Sequence, residues 1–137
     1  MEATAELNLF HELSFYTLGH PNKDYFIHQH AVDAFAVQHL GEDTKIIKAT
    51  YGLLGLCLYL EHGFSGKEVQ HVHVKLSSDK SDWPNIQYPI QQIAYSIQTI
   101  LNAPEGKHRD QEIRNWCELI WKAHQANQQP VRDWLKR

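Results

Sequence analysis

Residues 51–60, Tyr-Gly-Leu-Leu-Gly-Leu-Cys-Leu-Tyr-Leu, constrain the fold of this chain more than any other segment. In a helix they present apolar side chains on nearly all sides, which is typical of the buried central helix of a bundle. Gly52 and Gly55 lower the helix propensity, and close packing against a neighbouring helix is expected to offset that cost. The run is too short to cross a bilayer, which needs about 20 residues. We therefore predict a buried helix over residues 44–62.

Local signals on both sides of this helix predict the other elements. Ser65 and Glu68 form a capping box that opens a helix. Pro130 is expected to end the last long helix, and residues 131–135 to form a terminal turn. The predicted helices cover residues 5–18, 24–40, 44–62, 65–76, 89–101 and 107–127. The fold class is therefore all-α: one domain over residues 1–137, a single compact bundle of five or six helices.

Residues 70–76, Gln-His-Val-His-Val-Lys-Leu, allow two interpretations. The apolar side chains alternate with a period of two, as in a strand. The capping box before them and the lack of a partner strand favour a helix. In a strand, His71 and His73 would project to one side and suit a metal ion. In a helix the two side chains diverge by about 200°, and solvent exposure is expected.

Charge and cysteine content limit the possible partners and the compartment. The net charge is −3 and the isoelectric point is near 6.3, so the chain has no basic field for nucleic acid or anionic lipid. Cys57 and Cys117 both lie in apolar helical patterns, where buried thiols are usual. The first residues lack the regions of a signal peptide. We expect a soluble, cytoplasmic protein without nucleic-acid or membrane contacts.

Ten histidines offer the best clue to chemistry, because imidazole binds metals and transfers protons near neutral pH. His28 and His39 share one stripe of the second helix, but about 16 Å separates them, so they cannot bind one ion. Antiparallel packing brings His28 level with Glu61 and His62, and His20 lies at the same end. His28, Glu61 and His62 are the predicted ligands of a divalent transition metal such as zinc. A structural, hydrogen-bonding role for these side chains is the preferred alternative.

Other polar residues have ordinary structural explanations. His39 ends a helix, where an imidazole interacts well with the helix dipole. His124 shares an apolar stripe of the last helix and would face either His28 or His39. Asp33 lies about 140° from His28 on the helix, so it does not orient that ring. It would pair with a neighbouring helix or lie on the solvated face.

The second helix also resembles a known family. His28, Asp33, Ala34, Phe35, Gln38 and His39 match the H-x4-D-A-[FY]-x2-QH segment of a bacterial domain-of-unknown-function family of small helical proteins. The likeness continues through residues 55–61 and a C-terminal pattern of Trp116, Trp121 and Trp134. Leu40 replaces a frequent proline, and Gln128 or Gln129 a frequent histidine. The resemblance implies a helical fold and a bacterial origin, and no established activity.

Two functions are compatible with this sequence, and whether the protein is an enzyme stays open. The first, slightly preferred, is an accessory protein with structural or polar-core histidines and a possible homodimer interface. The second is a metal-binding protein or a metal-dependent hydrolase or transferase. In that case His28, Glu61 and His62 would bind the ion, with His39 or His124 as a further ligand. The bound ion would activate water.

Overall fold

The computed structural model describes residues 2–19, 25–40, 45–77, 83–88 and 93–136. These residues form helices and no sheet, which confirms the all-α fold class. The described helices are α1 (Glu2–Leu18), α2 (Ile27–Gln38), α3 (Ile46–His62), α4 (Gly66–Leu76), α5 (Ile97–Asn102), α6 (Lys107–Ala123) and α7 (Gln125–Lys136). The prediction of five or six helices was therefore slightly wrong, since the described part contains seven.

The extra helix arises at the C-terminal end. The chain bends at His124, whose φ of −98° and ψ of 37° are not helical, so one predicted helix becomes α6 and α7. Pro130 lies inside α7 and does not end it. Its ring removes one helical hydrogen bond. Val131 beside it is fully buried, and Trp134 one turn later packs on the core, so tertiary packing outweighs the proline penalty.

Two other predicted elements can be compared with the structure. Residues 70–76 lie in α4, which confirms the helical interpretation. Its capping box is present, with the Glu68 N–H donating to Ser65 Oγ over 3.2 Å and the Ser65 N–H donating to Glu68 Oε1 over 2.9 Å. The predicted helix over 89–101 is shorter, because α5 begins at Ile97 behind a Ser96 cap. Residues 89–92 lie outside the described part.

Helix α3 is the centre of the bundle and contacts α2, α4, α6 and α7. Its residues 49–50 and 52–59 are buried. Gly52 permits close approach to α2, because a methyl group there would lie 2.8 Å from the Asp33 carbonyl oxygen. Cys57 and Cys117 are buried free thiols, and burial raises the pKa of Cys57 to about 12. None of the described helices is long and apolar enough to cross a membrane.

Candidate functional site

Four helices, α1 to α4, line an open cleft with a volume of about 720 Å³. This volume falls within the range of about 300–1,000 Å³ that is usual for small-molecule sites. All four helices contribute apolar side chains to its walls, namely Leu7, Phe10, Val32, Phe35, Ala36, Tyr51 and Val74. The other seven lining side chains are polar or charged, namely His11, Gln29, Asp33, Lys48, Gln70, His73 and Ser77, and two of them form a buried pair.

Asp33 of α2 and His73 of α4 form this pair. His73 Nε2 lies 3.2 Å from Asp33 Oδ1 and 3.4 Å from Oδ2. Gln29, one turn before Asp33, donates its amide to Oδ1 over 3.1 Å. The Asp33 residue is 3% exposed. Burial raises the pKa of Asp33, and the contacts with His73 and Gln29 oppose that rise.

Gly55 of α3 provides the space for the pair. A methyl group at this position would overlap the Asp33 carboxylate and lie 3.1 Å from His73 Nε2. Three helices therefore meet at the Asp33 carboxylate. This carboxylate holds Nε2 of the His73 ring toward α2. The other ring nitrogen, Nδ1, is buried and has no hydrogen-bond partner in the described part of the chain. Chemically, the arrangement is a carboxylate-oriented imidazole beside an apolar cleft.

An aromatic edge holds the His73 ring on its other side. Tyr51 meets His73 edge-to-face with 5.2 Å between ring centroids, and meets Trp83 at 4.9 Å. Trp83 in turn stacks on Trp134 of α7 at 5.4 Å. Aromatic contacts of this kind fix ring orientation. The position of His73 therefore depends on packing as well as on Asp33.

Sequence reasoning did not find this pair. The expected solvent exposure is correct for His71, but His73 is only 14% exposed and contacts Asp33. For Asp33, pairing with a neighbouring helix is the correct alternative, and the solvated face is wrong. A signal was available, because an acid between Ala31 and Val37 interrupts an apolar stretch. Its partner, 40 positions away, had no local signal.

The three predicted metal ligands make separate contacts. His28 Nδ1 lies 2.8 Å from Thr17 Oγ1, and burial lowers the His28 pKa. Glu61 accepts two hydrogen bonds from Arg132, at 2.8 and 2.6 Å, and one from Trp121 Nε1 at 3.0 Å. His62 is exposed.

No group of three or more His, Cys, Asp or Glu side chains within the described ranges is placed to hold a metal ion. His20 lies outside those ranges. Zinc at His28, Glu61 and His62 therefore stays a prediction, without support from the described contacts.

The two further candidates, His39 and His124, have partners of other kinds. The His39 ring lies 4.3 Å from the Phe35 ring, centroid to centroid, at the C-terminal end of α2. His124 Nδ1 lies 3.0 Å from the Asn127 amide, and that amide also donates to the Gln87 carbonyl. His124 is 1% exposed, and burial lowers its pKa. The contact partner of His124 is thus Asn127, and neither His28 nor His39.

His30 is a buried histidine that sequence reasoning passed over. Its ring is fully buried and stacks on Tyr59. Neither ring nitrogen has a hydrogen-bond partner in the described part of the chain. Burial lowers the His30 pKa to about 3, and the Arg114 charge adds to this effect. The signal was the stripe of His30, Ala34 and Val37, which places the imidazole in an apolar row.

Comparison with known proteins identifies a family without an assigned activity. No curated protein and no solved structure matches the chain. A family described as "Family of unknown function (DUF5946)" matches residues 7–125, a span that includes every residue lining the cleft. This match covers most of the sequence, so the protein belongs to that family of unknown function.

Proposed function

We propose that this protein binds a small organic molecule with an apolar body in the cleft formed by the four helices α1 to α4. The observation that carries the proposal is the Asp33–His73 pair, buried in a cleft of about 720 Å³ with mainly apolar walls. Apolar walls supply affinity at about 25 cal/mol per Å² of buried surface, and a few fixed polar groups orient the ligand.

The polar part of this site is fixed before any ligand arrives. Asp33 is held by Gln29 and His73, and Tyr51 packs against the His73 ring. Side chains that are already ordered lose little conformational entropy on binding, which favours affinity. Under this proposal most histidines outside the cleft have structural roles, as the contacts of His28 with Thr17 and of His124 with Asn127 support.

A cleft-filling variant tests the proposal. Ala36 lines the cleft, so Ala36→Trp places an indole in the space that a ligand would use. Ala126→Trp, on the exposed side of α7, is the matched control. A fragment set of small aromatic and aliphatic compounds is screened by two-dimensional amide NMR on all three proteins.

We expect fragments to shift the amides of cleft residues in the wild type and in the Ala126→Trp variant. The same fragments should lose these shifts in the Ala36→Trp variant, with its thermal unfolding still cooperative. Fragments that shift amides elsewhere, or equally in all three proteins, contradict the proposal.

Two expectations from the sequence remain separate proposals. A homodimer is supported by Phe15 and Leu18, which are 85% and 62% exposed one turn apart on α1. Light scattering of the wild type and of Phe15→Ser measures the oligomeric state. The other proposal is a zinc site at His28, Glu61 and His62, and with it a metal-dependent hydrolase or transferase activity. Elemental analysis of the purified protein tests it.

A further inference from the structure

We infer that the ligand of the cleft is an anionic amphiphile, an aryl or alkyl carboxylate whose charged group lies at Lys48. This inference rests on the proposed function, because it names the chemical class that the same cleft accepts. Three features of the described lining residues carry it: the distribution of charge, the position of Lys48 on α3, and the aromatic walls.

The first feature is the charge that an incoming ligand would meet. Asp33 is the single acid among the described lining residues. Its carboxylate is almost fully buried and already bonded to His73 and Gln29. Lys48 is exposed at the cleft and has no acidic partner in the described part of the chain. The lining therefore offers a ligand a positive charge, although the whole chain carries a net charge of −3.

The second feature is that Lys48 lies in the first turn of α3. No acidic residue is present in that turn, and the N-cap residue Lys45 makes no side-chain capping bond. A helix N-terminus carries roughly half a positive elementary charge, so a lysine there is unfavourable for the helix. A carboxylate placed beside Lys48 would interact favourably with both the ammonium group and the helix dipole.

The third feature is the shape and chemistry of the walls. Phe10 and Phe35 stack with 4.2 Å between ring centroids and 16° between ring planes. Tyr51 lies one turn after Lys48 on α3 and also lines the cleft. Aromatic walls next to one cation match a molecule that has an apolar ring or chain at one end and a carboxylate at the other.

The experiment compares three probes with one apolar body and different head groups. They are 4-phenylbutanoate, 4-phenylbutanamide and 4-phenylbutylamine. Each is titrated at pH 7.5 and low salt into the wild type, Lys48→Gln and Lys122→Gln, with amide NMR shifts as the readout. Lys122 is an exposed lysine of α6 outside the cleft lining, so its variant makes the same change in net charge at another place.

We expect the carboxylate to shift the amides of cleft residues and to bind about fivefold more tightly than the amide, as one partly exposed ion pair permits. The amine should bind more weakly than both. Lys48→Gln should reduce the affinity for the carboxylate to that for the amide, and Lys122→Gln should leave it unchanged. Adding 0.5 M NaCl should lower the affinity for the carboxylate and leave the affinity for the amide unchanged.

The results separate this inference from the proposed function. Equal binding of all three probes in the cleft overturns the preference for an anion and leaves cleft binding intact. Carboxylate binding that survives Lys48→Gln, or that is unaffected by Ala36→Trp, also overturns the inference. If no probe binds but other fragments occupy the cleft, the ligand class is wrong. If neither probes nor fragments shift cleft amides, both proposals fail.

Discussion

The His30 imidazole lies parallel to the Tyr59 ring, with the ring centroids 3.5 Å apart and the planes inclined by 8°. The imidazole is fully buried, and in the described part of the chain neither nitrogen has a hydrogen-bond partner. A buried ring without partners is stable only when neutral, which is why the His30 pKa falls to about 3. The folded state therefore favours the neutral form of the His30 imidazole.

We predict that stability decreases as the pH falls from about 6.5 toward 3. In this range the unfolded chain takes up a proton at His30 and the folded chain does not, so acid favours unfolding. The lowered pKa values of His28 and His124 act in the same direction, whereas the raised pKa of Asp33 opposes them. Urea unfolding at pH 7.5 and 4.5 measures the loss, of which His30 should supply about 2 kcal/mol.

His30→Phe and His71→Gln separate this contribution from general acid effects. Phenylalanine keeps a ring against Tyr59 and cannot be protonated, so His30→Phe should reduce the loss of stability in acid. His71 is exposed on α4, and His71→Gln should leave the pH dependence unchanged. An equal loss in His30→Phe and wild type would disprove the role of His30.

We predict that Gly55→Ala lowers the free energy of unfolding by about 2 kcal/mol or more, as overpacking in a core does. The added methyl group would overlap the Asp33 carboxylate and push it against His73. The same substitution in an Asp33→Ala background is the control, because the carboxylate that the methyl group would overlap is then absent. Urea unfolding of the four proteins gives the coupling energy. A cost of Gly55→Ala that is independent of residue 33 would contradict the prediction.

We predict that His73→Gln destabilises the fold by about 3 kcal/mol, because it weakens the pairing of a buried carboxylate. His71→Gln on the same helix is the matched control and should cost less than about 0.5 kcal/mol. Thermal unfolding of both variants at pH 7 is sufficient to compare them. Similar effects of the two substitutions would mean that the Asp33–His73 contact contributes little.

We predict that His28→Ala and Glu61→Gln each lower stability by about 1 kcal/mol without changing the metal content of the protein. His28→Ala removes the contact with Thr17. Glu61→Gln removes the charge paired with Arg132 and replaces one accepting oxygen by an amide nitrogen, so that the hydrogen bonds from Arg132 and the Trp121 indole cannot all be kept. Elemental analysis of protein purified without chelator, with zinc per chain as the readout, accompanies the unfolding experiments. Bound zinc in the wild type that either variant loses would establish the predicted metal site.

The sequence predicted those parts of the fold that depend on neighbouring residues. The apolar run before Glu61 predicted α3, and the Ser65 capping box correctly identified α4 despite a pattern with a period of two. The predicted end of the last long helix was wrong, because the chain bends at His124 and Pro130 lies inside α7. Both features depend on packing between segments that are distant in the sequence.

The candidate site was less predictable than the fold. Helical geometry relates residues within one helix, and so it correctly excluded a contact between Asp33 and His28. It cannot show that Asp33 meets His73, since that contact requires Gly55 of a third helix. Assigning His28 and Glu61 to one end of the bundle likewise used helix direction alone, which does not determine contacts between side chains.

The junction at Gly55 also divides the residues of the cleft into two groups that differ in their tolerance of substitution. Any change at Asp33 or His73 must be accommodated by three helices at once, so substitutions there risk the fold before they alter recognition. Val32, Ala36 and Val74 line the same cleft outside that junction and are half-buried or exposed, so a change in their size disturbs the core less. If the cleft binds a ligand as proposed, its apolar walls can therefore be redesigned for another ligand while the buried pair stays the same.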